Sequence, residues 1–231
     1  MTRYAEEPEF APWSPRSDAS VADELLDVAR VRQSAGSRTG PLVVAVDGRG
    51  AGGKSTVADR LTEVVGGAVV VHTDDVAWQH GFFDWDGLLL EGILGPLSRG
   101  DDVAFRPPAW VERGREGEIA VPALAVVLLV EGVGSSRASL GPWLDASVWV
   151  QSDADEAYRR GIERDVRLGR TRDEVVALWD EWMAEEVPFL AADRPWKRAD
   201  IILCGTPDKE IDGLLVSRAR AGPGPRAQQR W

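Results

Sequence analysis

The 231-residue sequence predicts a doubly wound α/β fold, with a central, mostly parallel sheet of five strands and helices on both faces. Three observations carry this expectation. Apolar, β-branched runs recur along the chain, and they are continuous rather than alternating, as in strands buried on both faces of a parallel sheet. Segments with helical spacing of apolar residues separate them. The first run also opens directly into a glycine-rich turn heading a helix, which closes a strand–loop–helix–strand unit of about thirty residues.

Composition narrows the function classes. The chain carries 27 Lys+Arg against 38 Asp+Glu, a formal charge of -11, with 44% apolar and 28% charged residues, as in a folded soluble domain. The acidic balance argues against nonspecific nucleic-acid binding. A lone Cys204 excludes an intramolecular disulfide and a multi-cysteine zinc site. The opening MTRYAEEPEF has acids where a signal peptide needs a basic and then an apolar stretch, and no apolar run approaches a spanning helix, so a cytosolic protein without a membrane partner is expected. Arginine outnumbers lysine 24 to 3, which reads as a GC-rich coding background and gives weight to any lysine inside a motif.

Residues 1–19, with Pro8, Pro12 and Pro15 and no regular period, read as an irregular arm. From Ser20, a candidate cap, Val21, Leu25, Val28 and Val31 predict a helix over 20–34 that ends near Gly36. LVVAVD at 42–47 is the first buried strand, VADRLTEVV the helix after the glycine loop, and AVVVH at 68–72 the second strand. A helix follows over 88–97. Short strands near 103 (VAFRP) and 118 (EIAVP) then predict a small β-hairpin flap. AVVLLVEG at 125–132, ASVWVQ at 146–151 and ADIILC at 199–204 are the remaining strands. Between the last two lie helices over 153–168 and 171–187, the second opened by Thr171 and Glu174 at capping-box spacing. The folded domain is expected over 20–217. The tail 218–231, with four arginines and no acids, is expected to be flexible.

Gly48-x-x-x-x-Gly53-Lys54-Ser55 is a complete P-loop, placed after a buried strand and before a helix as its mechanism requires. Gly48, Gly50, Ala51, Gly52 and Gly53 let backbone amides curl around phosphate oxygens, and the helix start aims further N–H groups at the same anion. Lys54 would neutralise the β- and γ-phosphates, Ser55 would offer its hydroxyl to Mg²⁺, and Thr56 would bond the α-phosphate. Asp74-Asp75 lies beyond the carboxyl end of the second strand, where α/β sheets bind ligands. Asp74 is favoured there as the base that takes a proton from an acceptor hydroxyl. Glu131, at the mouth of a buried strand, needs a cationic partner, and Ser55, Glu131 and Asp74 are the candidate Mg²⁺ ligands. Arg160, Arg164 and Arg167 share a helical face. With Arg170 they form a candidate lid over a transferring phosphoryl group, unless they are the ion-paired face of an exposed helix. Trp78, Phe82, Phe83, Trp85 and Trp110 are candidate pocket walls or core. His72 and His80 receive no role.

These ordered segments, across 42–204, resemble the uridine kinase and phosphoribulokinase group of P-loop kinases. VVAVDGRGAGGKST is similar to the phosphate loop of that group, VVVHTDD to its second strand with the acceptor-activating aspartate, and LLVEG to the strand with its magnesium-associated glutamate. FFDW at 82–85 resembles the segment in which an aspartate, here Asp84, holds a nucleoside sugar. RRGIERDVRLGR at 159–170 resembles the arginine-bearing lid. The resemblance implies a three-layer P-loop NTPase fold and a kinase that uses Mg²⁺ and ATP or GTP, with Lys54, Asp74 and Arg164 in catalysis and Arg160, Arg164 and Arg170 on the nucleotide. The acceptor would meet Asp74, Trp78, Asp84 and Trp110. Pro108-Ala109-Trp110 and Arg113 stand where the group carries tyrosine and histidine to read a pyrimidine, so the acceptor is either a nucleoside or an anionic or smaller molecule met by Arg113: a sugar, a vitamin precursor or an organic acid. A nucleotide-binding ATPase switch is the alternative from a different class. A homo-oligomer is compatible with the sequence but not assigned by it.

Overall fold

The computed structural model describes residues 1–4, 7–36, 38–209 and 211–217; the tail over 218–231 lies outside the described residues. The chain enters through β1 (Ser14–Arg16) and α1 (Asp18–Ala35), then forms β2 (Leu42–Gly48), α2 (Lys54–Val64), β3 (Ala68–His72) and the one-turn α3 (Thr73–Val76). A helical stretch follows as α4 (Asp86–Leu89), a π turn (Leu90–Leu94) and α5 (Gly95–Ser98). Pro96 lacks an N–H and its ring crowds the carbonyl four residues back, which the widened turn accommodates. Strands β4 (Val103–Phe105) and β5 (Ile119–Val121) pair antiparallel as the expected flap, with α6 (Pro108–Glu112) between them. The chain closes with β6 (Val127–Glu131), β7 (Ala146–Gln151), α7 (Ala154–Arg167), α8 (Arg172–Asp193), β8 (Ile201–Cys204) and β9 (Leu214–Ser217).

The main sheet has the order β1-β9-β8-β7-β2-β6-β3 and therefore seven strands, not the expected five. The five parallel strands are those read from the sequence. The two additions are antiparallel: β9 against β8, and β1, inside the arm expected to be irregular, against β9. Three residues including Pro15 carry no strand period, and β1 exists because β9 offers it an edge, where a proline is tolerated.

Successive residues of the central strands feed opposite layers. Val44, Val46, Leu129 and Val148 pack with Val21, Leu25, Val57 and Leu61 of α1 and α2. Val43, Leu128 and Val130 pack on the other side with Leu89, Ile93 and Leu97 and with Val121 of the flap. Each fully buried side chain of this kind contributes roughly 1.5–3 kcal/mol. Helix α1 is capped by Ser17, whose side chain accepts the Ser20 N–H, and not by Ser20 as expected. The hydroxyl of Ser20 instead accepts a bond from Arg16. The capping box of Thr171 and Glu174 is formed, and α8 runs on through Pro188 to Asp193. Among the described residues no helix is long and apolar enough to cross a membrane.

Candidate active site

The polar residues that the apolar strands lack are collected at their carboxyl ends: Asp47 and Gly48 on β2, His72 on β3, Glu131 on β6 and Gln151 on β7. Between β2 and α2 the glycine loop turns under the sheet edge. Gly53 takes φ 95°, and a Cβ there would lie 2.9 Å from the carbonyl oxygen of Gly205, so glycine is required on both counts. Ser55 and Thr56 are exposed in the first turn of α2. Lys54 is buried, and its Nζ donates to the carbonyl oxygen of Arg49 at 2.9 Å, which sets the ammonium against the loop it serves.

Glu131 links two of these ends. Its Oε1 lies 3.4 Å from Ser55 Oγ, and its Oε2 lies 2.6 Å from His72 Nδ1. Burial pushes the Glu131 carboxyl up, but the His72 bond and the charge of Lys54 more than offset this and hold it below the usual glutamate range. The same bond raises His72 against the opposing effect of burial. Sequence reasoning left His72 without a role. The signal was available in the strand register, because His72 stands opposite Glu131 in the parallel β3–β6 pair.

Asp47, also missed, is wholly buried and fastens the loop after β6 to the phosphate loop. Its Oδ1 accepts the N–H groups of Gly48 (2.7 Å) and Gly134 (2.8 Å), and its Oδ2 accepts the N–H (2.9 Å) and hydroxyl (2.7 Å) of Ser136.

On the acceptor side, α3 presents Asp74 exposed at the end of β3. Asp75 pairs with Arg115 at 2.5 Å, and its carbonyl oxygen accepts Trp110 Nε1–H at 2.9 Å. The Arg115 guanidinium lies 3.6 Å from the Trp110 ring centroid and 5.3 Å from that of Trp78. Trp78, Trp110 and Asp75 are thus brought together by Arg115, the flap arginine beside them. Arg113 is exposed at the end of α6, and Asp84 is exposed before the buried Trp85. Trp110 is itself buried, so its ring belongs to the core under the flap as much as to a pocket wall.

The arginines expected to form a lid lie mostly against groups of their own helix. Arg160 bonds Glu156 at 2.7 Å and also reaches the carbonyl oxygen of Gly205, the residue packed against Gly53. Arg164 bonds Asp165 at 2.8 Å, Arg167 bonds the Glu163 carbonyl, and Arg170 is exposed. Only Arg160 of the set touches the phosphate-loop surroundings in this conformation. Among the described residues no group of three or more His, Cys, Asp or Glu forms a metal cage. A hydroxyl and one carboxylate beside an anion-binding loop nevertheless fit Mg²⁺, which keeps several waters and takes phosphate oxygens as ligands.

No protein-family model and no curated protein matches this sequence. Solved structures do. A protein provisionally described as a fructose transport system kinase, from Silicibacter sp., aligns at 20% identity over 77% of this chain and 92% of that one, with a TM-score of 0.53. A D-glycerate 3-kinase from Cryptococcus neoformans aligns at 13% identity over 85% and 98%, with a TM-score of 0.51. The YGR205w protein aligns at 14% identity over 82% and 93%, with a TM-score of 0.53. At these identities the likeness is one of fold alone: the chain shares the α/β fold of these solved structures, as the motifs lead one to expect.

Proposed function

We propose that the protein is a Mg²⁺- and ATP-dependent (or GTP-dependent) kinase that transfers the γ-phosphoryl group to a hydroxyl of a small molecule. The observation that carries this reading is the convergence at one sheet edge of the Lys54–Ser55 loop, Glu131 and the exposed Asp74. The loop amides and Lys54 would hold the β- and γ-phosphates, with Arg160 and Arg164 covering them when the lid closes. Ser55 and Glu131 would hold Mg²⁺, with Asp74 close to the same ion. When bound, Mg²⁺ supplies neutralisation of the phosphate charge. Asp74 would orient the acceptor hydroxyl and accept its proton as the oxygen bonds to the γ-phosphorus; the bond from that phosphorus to the bridging oxygen breaks and the diphosphate leaves.

The resemblance of residues 82–85 supports a nucleoside as acceptor, held by Asp84. A second reading is supported by the flap. Trp110 is buried with Arg115 over its ring, which leaves it little surface to stack on a base and favours a smaller polyhydroxy or anionic acceptor such as a sugar or hydroxy acid. The names of the fold neighbours, a glycerate kinase and a fructose-system kinase, are of that smaller type.

The test is ADP release from Mg²⁺-ATP across nucleosides, sugars and hydroxy acids, with Lys54→Ala as the blank. Acceptor-dependent release by the wild type alone is expected. Replacing Asp74 by Asn should preserve nucleotide affinity and slow transfer by about 10²–10⁴-fold. Near-normal transfer in that variant removes Asp74 as the base, and tight nucleotide binding unmoved by every acceptor points to the switch instead.

A further inference from the structure

The second residue of the phosphate loop, Arg49, is 1% exposed and does not face solvent or the lid. Its guanidinium pairs through Nη2 with both carboxylate oxygens of Glu7, whose side chain is likewise wholly buried, and stacks on the Tyr4 ring at 4.2 Å. Residues 1–4 and 7–13, called the strap below, therefore lie across the loop. The backbone N–H of Tyr4 donates to Glu7 at 3.1 Å, and Gln151 at the end of β7 donates to the same carboxylate at 3.4 Å. The strap is held at its start by the Ala154 N–H on the Thr2 carbonyl, and further along by Phe10 and Trp13 packed with Trp149 and Trp196.

The next loop residue is gripped from the other side. Glu186, buried on α8, accepts the Gly50 N–H at 2.7 Å and Trp182 Nε1–H at 2.7 Å on one oxygen, and the Tyr4 hydroxyl at 2.9 Å on the other. Burial and the Glu186 charge push the Tyr4 phenol far up, so it stays a neutral donor. Two loop residues are thus fixed by a strap and a helix distant in sequence, and the bonds meet at the Tyr4–Glu186 pair.

Stability alone does not account for such a cluster. Burying three ionisable side chains costs several kcal/mol per ion before pairing, and apolar replacements of a buried ion pair are often neutral or stabilising. Arg49 Nε and Nη1 moreover have no acceptor among the described residues. What the cluster does provide is position. The backbone carbonyl oxygen of Arg49, the residue that Glu7 holds by its side chain, is the acceptor for Lys54 Nζ and for the Gly52 N–H.

We propose that Glu7 and Tyr4 of the strap, together with Glu186 of α8, are positioning residues of the nucleotide site: they preset the Arg49–Gly50 segment, and through it Lys54 and the loop amides, for the phosphates of the bound nucleotide. The strap is then part of the site through the loop that it holds. This rests on the nucleotide-binding reading above, and two readouts keep the two separable.

The experiment compares full-length wild type with Glu7→Gln, Tyr4→Phe and the apolar pair Glu7→Leu/Arg49→Leu. Mg²⁺-ADP affinity is measured by calorimetry well below the melting temperature, beside thermal melting and amide hydrogen exchange. Removing one charge-assisted anchor should weaken ADP binding about tenfold or more for Glu7→Gln, and roughly 3–10-fold for Tyr4→Phe. Exchange should accelerate at Gly50, Gly52 and Gly53 while the middle of α2 stays protected. In the turnover assay KM for ATP rises with kcat little changed. The apolar pair keeps its melting temperature but binds as weakly as Glu7→Gln. Should that pair melt like wild type and bind ADP with wild-type affinity, the cluster is packing and the proposal is overturned. If wild type binds no ADP, the kinase reading fails by itself, and the exchange data still decide this one: unchanged loop protection in Glu7→Gln refutes it.

Discussion

Asp47 sets the tension between burial and bonding at the scale of one residue. Burial raises its carboxyl above the ordinary aspartate range, and the four donors from Ser136, Gly134 and Gly48 pull it back only partly. A folded-state value above the unfolded one means that its contribution to stability diminishes as pH rises through that window, so the residue is retained for the four donors that its two oxygens accept. An Asn can match one carboxylate oxygen. Its amide NH₂ turned toward Ser136 would be accepted by the rotated hydroxyl but would leave the Ser136 N–H orphaned. Asp47→Asn is therefore expected to lose about 1–3 kcal/mol, lowering the melting temperature by several degrees. Calorimetric melting checks this, and an unchanged transition would mean that the two loops do not depend on the carboxylate. Single residues also mark where the sequence stopped being readable. Lys54, Ser55, Asp74 and Glu131 were legible because motif and strand ends fix their places. Which flap arginine turns inward was not, because Arg113 and Arg115 differ only in where the chain after α6 happens to point.

Elements show the same division. The five parallel strands announce themselves by being apolar on both faces, whereas the short β9 depends on the edge of β8, and β1 on that of β9. Helices α7 and α8 were legible as elements, but their contact was not. It is made through Gly161, where an added Cβ would stand 2.0 Å from the Trp179 ring. Gly161→Ala should push the two helices apart and cost about 1–3 kcal/mol, despite the better helix propensity of alanine. A raised melting temperature would show that the interface yields freely. The attachment of the strap to α7 carries a pH signature. Asp153, the N-cap of α7, also accepts the Thr2 N–H; burial opposes but does not outweigh the bonds from Glu156 and Thr2, which hold its carboxyl below the usual range. A depressed value means the bond is intact above the ordinary aspartate pKa of about 4 and is lost as pH falls below it. The protection of the amides at residues 2–4, measured relative to intrinsic exchange at each pH, should then fall on acidification from pH 5 to pH 3, ahead of the sheet, and Asp153→Asn should flatten that pH dependence. Equal acid sensitivity in the variant would assign the release to another group.

At the scale of the whole molecule the phosphate loop is held by β2, α2, the Gly205 turn, α8 and the strap, so nucleotide binding should be felt throughout the fold. At a hundred times its dissociation constant, Mg²⁺-ADP should stabilise the protein by about 2.7 kcal/mol, which corresponds to roughly 5–10 °C in melting temperature for a chain of this size. Lys54→Ala should remove most of that increment, and a shift of equal size in the variant would place the nucleotide elsewhere. The α/β class and the five parallel strands of the sheet were legible at this scale, out of seven strands in all. The sheet edges and the strap were not, since a sequence shows neighbours along the chain and these contacts join its opposite ends.

That joining has a consequence in time. Strand β1, which ties the strap to the body of the protein, pairs with β9, so Ser14 meets Val216 across nearly the whole chain. A ribosome releases residues in order, and the strap can dock through β1 only after β9 has emerged. The phosphate loop and both of its flanking elements therefore emerge long before the strand that secures the strap, and a nascent chain stalled short of β9 carries the motif without its finished setting.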